Sequence, residues 1–269
     1  MEQGEGAAMN LKGKNAVIYG AAGSIGTAVS QAFAGASARV FLCGRTSRPL
    51  DALARKIASS GGSAEVTTLD ALDADAVERH AETVIAKAGS LDISFNLILI
   101  PHIQGRNLVD LTQEEFAKPI RDTAATHFIT ATAAARRMVS QRRGVILMMT
   151  TQPSRLALPL SGPFGAACAL IEAFARNLAA EVGPSGVRVN CLLSTGSPEA
   201  PGVTAAMELH AKGHGKSLEE MKAFFISQTP LRRFTALEEV ARTAVFLASD
   251  DASAITASAV NISCGLMPT

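Results

Sequence analysis

The feature that most constrains this chain is a rhythm in which short runs, apolar on both faces, alternate with longer segments of helical period. The runs fall at 15–19, 39–43, 64–69, 93–100, 145–149, 187–193 and 259–262. A strand with one wet face alternates polar and apolar residues; these do not, so both faces must be covered. Helical patterns at 26–34 and 49–59 follow the first two runs. Thr112 with Glu115, Ser217 with Glu220, and Thr235 with Glu238 each have the spacing of a capping box. Gly183-Pro184 stops a further helix that begins near Phe164. Strands and helices in this alternation imply an α/β fold: a doubly wound parallel sheet with right-handed crossovers.

Hydrophobic residues make up 48% of the 269 and charged residues 18%, which is ample material for one large core. No repeat, low-complexity tract or Pro/Gly/Ser linker divides the chain. A single domain is expected over 11–269, after a loose tail at 1–10. With 25 basic and 24 acidic residues the formal charge is +1, so nothing general draws the chain to nucleic acid or an anionic membrane. No apolar run approaches the length of a membrane span. Cys43, Cys168, Cys191 and Cys264 are scattered, without CxxC spacing or a neighbouring His. This usage fits a reducing, cytoplasmic setting with neither a disulfide framework nor a metal site.

The first run leads into Gly20-Ala21-Ala22-Gly23-Ser24-Ile25-Gly26 at the start of a helix. A dinucleotide pyrophosphate needs a tight turn, close backbone approach and free amides at a helix N-terminus. The position of this glycine turn, directly after the first strand, meets those needs. The second run ends in Cys43-Gly44-Arg45-Thr46. An NAD site usually places a carboxylate there for the ribose 2′-hydroxyl; Arg45 instead suits a 2′-phosphate, and so NADP(H).

With these residues in view, 11–265 resembles the classical short-chain dehydrogenases/reductases. Tyr19-Gly20-Ala21-Ala22-Gly23-Ser24-Ile25-Gly26 stands where that family has TGxxxGxG. Leu91-Asp92 through Asn96 resembles the LDxxxN lead into NNAG, with Leu97, Ile98 and Leu99 replacing the remainder. Gly186-Val187-Arg188-Val189-Asn190 resembles GIRVN, and Pro230 to Phe234, Glu238 to Ala241 and Phe246 to Asp250 resemble the C-terminal stretch. The resemblance implies a Rossmann-type sheet. It implies cofactor contacts at Gly20, Gly23, Ser24, Ile25, Gly26, Arg45, Asp70 and Asn96, with Asp70 against the adenine. It also implies a dimer or tetramer joined through helices around 114–138 and 164–182, and a variable substrate lid at about 198–225. Gly213-His214-Gly215 reads as a mobile point in that lid.

The family's proton relay consists of a Ser, a Tyr thirteen residues on, a Lys four beyond, and an Asn on the long helix before. Aligned through Phe164-Gly165-Ala166-Ala167-Cys168, these positions fall on Thr151, Phe164, Cys168 and Thr123. Phe164 has no proton to exchange and Cys168 no charge. Tyr19 is the one tyrosine in the chain, so no relocated Tyr–Lys pair exists. Thr151 keeps a hydroxyl. His102, just past the fourth run, is a candidate acid or base near neutral pH, weighed against a plain loop histidine. His127, one helical turn after Thr123, faces the same cleft or packs in the helix. Cys168 is a nucleophile only if its thiolate is stabilised, and otherwise a small buried filler. Gln152, Ser154 and Arg155 are expected along the substrate side.

Three functions stay open on this reading. The first is an NADP(H)-dependent oxidoreductase for a small molecule, such as an activated C=C or C=N compound, protonated by water or His102. The second is a non-redox isomerase, cyclase or dehydratase. The third is a non-catalytic cofactor-binding or oligomer-partner subunit.

Overall fold

Seven parallel strands form one sheet in the order β3-β2-β1-β4-β5-β6-β7, described by a computed structural model of residues 10–266. The expected tail at 1–10 lies almost wholly outside the described residues. The strands are β1 (Asn15–Tyr19), β2 (Arg39–Gly44), β3 (Ser63–Thr68), β4 (Ile93–Asn96), β5 (Gly144–Thr151), β6 (Val187–Ser194) and β7 (Ser258–Ile262). Helices α1 (Ser24–Gly35), α2 (Ser47–Ser59), α3 (Ala74–Ala88), α4 (Gln113–Gln141) and α5 (Phe164–Val182) each carry one crossover. The last crossover carries three: α6 (Pro201–Gly213), α7 (Leu218–Gln228) and α8 (Leu237–Ala248).

Burial on both faces explains the apolar runs. In β1, Ala16 and Ile18 pack into the core beneath α1, α2 and α8, while Val17 and Tyr19 pack into the core beneath α3, α4 and α5. Two of the polar residues that carry the family resemblance, Arg188 and Asp92, have structural partners. Arg188 donates to the carbonyls of Leu247 (2.8 Å), Ser249 (2.8 Å) and Ile255 (3.3 Å), pinning the end of α8 to the sheet. Asp92 accepts from the Asn15 amide at 3.0 Å and from the Ser90 hydroxyl at 2.6 Å, and meets Arg143 at 3.1 Å.

Two expectations need correction. The fourth strand ends at Asn96, not at residue 100. Asn96 Oδ1 accepts the Ile98 amide at 2.9 Å, which bends the chain out of the sheet; residues 97–100 are apolar because they line a cavity. The third capping box is displaced by one residue: Ala236 begins α8, and its amide donates to the Glu239 carboxylate at 2.9 Å. Thr235 instead donates to the Ile262 carbonyl. At the end of α6, Gly213 packs closely, since a methyl there would meet Leu160 Cδ1 at 2.5 Å and the Gly105 carbonyl at 3.2 Å, whereas Gly215, at φ +65°, has open space around it.

Candidate active site

Sheet order reverses between β1 and β4, where loops diverge and leave a crevice at the carboxyl ends of the strands. A cavity of about 550 Å³ lies there. Its walls come from the turn into α1, the exit of β4, the ends of β5 and β6, and the segment 200–210 of the last crossover.

The turn into α1 is built for close approach. Gly20 has φ +75°, and a side chain there would press on the Leu97 carbonyl at 2.9 Å. A Cβ on Gly26 would overlap the Gly20 carbonyl outright. No side chain caps α1 at Gly23, so its first amides point outward unpaired. Gly23, Ser24, Ile25 and Gly26 line the cavity, and Gly20 shapes the turn beneath them. Asn96 also lines it, but its amide group is spent on Thr130 (3.0 Å) and the Ile98 amide. Arg45 and Asp70 lie outside the cavity, exposed at the ends of β2 and β3; Asp70 accepts the Leu72 amide at 3.0 Å.

The opposite wall gathers Thr123, His127, Thr151, Phe164, Cys168 and His102. Phe164 opens α5 and stacks on the His102 ring, with centroids 4.2 Å apart and planes 12° apart. Cys168 is buried among apolar groups that push its thiol up to about 12, so no thiolate forms and it serves as a filler. Burial holds His127 down to about 4, and lowers His102 as well. Tyr19 faces the other way, buried beside Cys43, and burial raises its pKa well above the usual phenol value.

His102 is more constrained than its place in a loop implies. The Ile100 carbonyl can only accept, so His102 Nδ1 carries the proton and donates to it at 2.9 Å. His102 Nε2 then accepts from the Gln104 amide nitrogen at 2.6 Å. Gln104 Oε1 in turn accepts from His210 Nε2 at 2.8 Å, and His210 Nδ1 is left as a buried acceptor without a partner. One hydrogen-bonded chain therefore ties the loop after β4 to α6, with both His102 nitrogens occupied. Gln104 and His210 escape sequence reasoning, because 106 positions separate them and neither belongs to a motif.

Ser154 and Arg155 do not face the cavity. Both bind the buried Glu172 of α5, Ser154 at 2.5 Å and Arg155 at 2.9 Å, so Arg155 has no charge to offer an anionic ligand. Gln152 does line the cavity, and its Oε1 has no partner. Among the described residues no helix is long and apolar enough to cross a membrane, and no cluster of His, Cys, Asp or Glu could hold a metal. All four cysteines are free.

The chain resembles known proteins in sequence and fold. A family model described as enoyl-(acyl carrier protein) reductase matches residues 20–267. A D-threitol dehydrogenase from Mycolicibacterium smegmatis is 29% identical over 245 residues, covering 91% of this chain and 89% of the relative. Among solved structures, an NAD+-bound xylitol dehydrogenase superposes with a TM-score of 0.86 at 22% identity, covering 93% of this chain and 98% of that one. An actinorhodin polyketide ketoreductase with NADPH gives 0.86 at 22%, covering 94% and 97%. The last two likenesses speak for the Rossmann-type α/β fold. With the sheet order, the glycine turn and the family match in agreement, the chain belongs to the short-chain dehydrogenase/reductase family of oxidoreductases.

Proposed function

We propose that this protein is an NADP(H)-dependent oxidoreductase that acts on a small organic substrate without a tyrosine–lysine proton relay. One observation carries the reading: a single cavity joins an uncapped glycine turn, with Ser24 at the family's middle Gly, to a wall in which Phe164 and Cys168 fill the relay positions. The turn fits a pyrophosphate, since Gly20 and Gly26 let its own backbone close tightly and the first amides of α1 are left without a side-chain cap. Gly20, Gly23, Ser24, Ile25 and Gly26 hold the pyrophosphate, Arg45 the 2′-phosphate and Asp70 the adenine. Asn96 acts on the cofactor indirectly, by fixing the chain that leaves β4.

When bound, the nicotinamide supplies or accepts hydride. Thr151 and Thr123 orient the substrate oxygen through their hydroxyls. The substrate's proton comes from water, because His102 has neither a free proton nor a free lone pair in the observed chain of bonds. Such a site suits activated C=C or C=N bonds, whose reduction depends less on a positioned acid than that of a plain ketone. The free thiols fit a cytoplasmic setting, and the exposed Phe116 and Phe128 of α4 fit a homodimer or tetramer.

The test is NADPH oxidation with 2-cyclohexenone and with cyclohexanone. We expect saturable turnover of the enone and a ketone rate at least ~10²-fold lower, the span of general acid catalysis. No oxidation with any activated acceptor contradicts the reading. A non-catalytic cofactor-binding subunit is the second reading, favoured by the saturation of His102; it predicts tight binding and no turnover. A non-redox isomerase, cyclase or dehydratase predicts turnover that is indifferent to added NADP(H).

A further inference from the structure

No Asp, Glu, Lys or Arg stands among the described residues lining the cavity. The position where the family resemblance implies a lysine holds Cys168, and Arg155, expected along the substrate side, is paired with Glu172 instead. Away from the α1 amides assigned to the pyrophosphate, a charged substrate would leave its hydration behind and meet no charged side chain, which costs far more than burying a neutral one.

The cavity is nevertheless not inert. His127 and Gln152 are 2% and 9% exposed, and Nδ1 of the first and Oε1 of the second are buried without partners. The Thr123 and Thr151 hydroxyls also bond to no described residue. Thr123 and His127 sit one turn apart on α4, and Thr151 and Gln152 are consecutive at the end of β5. A neutral imidazole and a carboxamide each offer one donor and one acceptor side. Orphaned groups of this kind await partners from a ligand or from ordered water. The rest of the lining is apolar and partly flat: the stacked Phe164–His102 pair, Leu158, Met207 and Phe225.

We infer that the cavity selects a neutral, mainly apolar ring compound bearing both a carbonyl and a hydroxyl group, held by Thr123, His127, Thr151 and Gln152. The inference rests on the cavity being the substrate site of the proposed oxidoreductase, and it names the class of that substrate. Recognition comes from hydrogen bonds to uncharged groups; rejection of anions and cations comes from desolvation.

Calorimetry with three probes of similar size tests it: 6-hydroxy-1-tetralone, 1-tetralone and 2-naphthoate, each with and without saturating NADPH. The hydroxy ketone should bind about tenfold tighter than 1-tetralone, the value of one or two buried hydrogen bonds, and 2-naphthoate weakest of all. Both variants being checked for an unchanged melting profile, Gln152→Leu should erase the advantage of the hydroxy ketone over 1-tetralone, and Thr123→Val should weaken both ketones. Equal or tighter binding of the naphthoate overturns the inference, as does an advantage that survives Gln152→Leu, or no binding of either ketone. NADPH binding is read separately by its own fluorescence. If the ketones bind as expected and NADPH does not, the redox reading fails and the ligand class stands. If NADPH binds and the naphthoate wins, the ligand class fails and the redox reading stands.

Discussion

A phenol passes a proton only if it has one and if a nearby cation draws its pKa down. Phe164 removes the first condition and Cys168 the second, so restoring one without the other gains little. Phe164→Tyr should change cyclohexanone reduction by less than about tenfold, since the new hydroxyl has no ammonium beside it. Cys168→Lys should lower the melting temperature, because the site is 3% exposed and an ammonium there must find a partner or shed its charge. A large gain in ketone turnover from Phe164→Tyr by itself would show that the relay is not what limits the site. The register of Thr151, Phe164 and Cys168 was an implication of the family resemblance, and the three side chains line one cavity. The state of His102 was not. Its tautomer depends on Gln104 and His210, which only the folded chain brings within hydrogen-bond reach.

At the scale of elements, the segment over the cavity is held down more firmly than its glycines imply. Gln104 bridges the loop after β4 and α6, and Ala211, Met221 and Phe225 form a small core of their own between α6 and α7. Gln104→Leu leaves His210 Nε2 buried without an acceptor, at a cost of about 1–3 kcal/mol. Hydrogen exchange across 201–213 should quicken, with the sheet amides unchanged; uniform exchange rates would show that the bridge holds nothing. Gly162→Ala should be more damaging, since φ is +55° and the new methyl would overlap the Ile103 carbonyl. Strands and caps were legible wherever a local rule governs them. Thr112–Glu115 and Ser217–Glu220 form their boxes as the spacing implies. Residues 97–100 misled because periodicity records burial, and a cavity wall is as apolar as a sheet.

For the whole molecule, the buried histidines couple folding to pH. His80 and His127 are held down to about 4 by burial, against about 6.5 in an unfolded chain. Between these values the unfolded state binds more protons, so stability is full above about pH 6.5 and declines as pH falls toward 4. The melting temperature should therefore drop between pH 7 and pH 5, and less so in His127→Phe; an unchanged slope would place the coupling elsewhere. Phe128 is 57% exposed on α4 and lies 6.1 Å from Phe174 of α5, ring to ring. If these helices join subunits, Phe128→Glu should give a monomer by light scattering, while a wild-type monomer would refute the assembly. The architecture was legible at this scale because seven strand-like runs alternating with helices admit few arrangements, although the edge strands β3 and β7 are only partly buried; the assembly and the histidine coupling depend on which surfaces meet.

The measurement that bears most directly on the account is titration of the purified protein with NADPH and NADH, followed by nicotinamide fluorescence. The account predicts that NADPH binds at least about tenfold tighter, and that Arg45→Ala removes this preference while leaving NADH binding unchanged. Binding of neither cofactor, or a preference for NADH that Arg45→Ala does not alter, would contradict it.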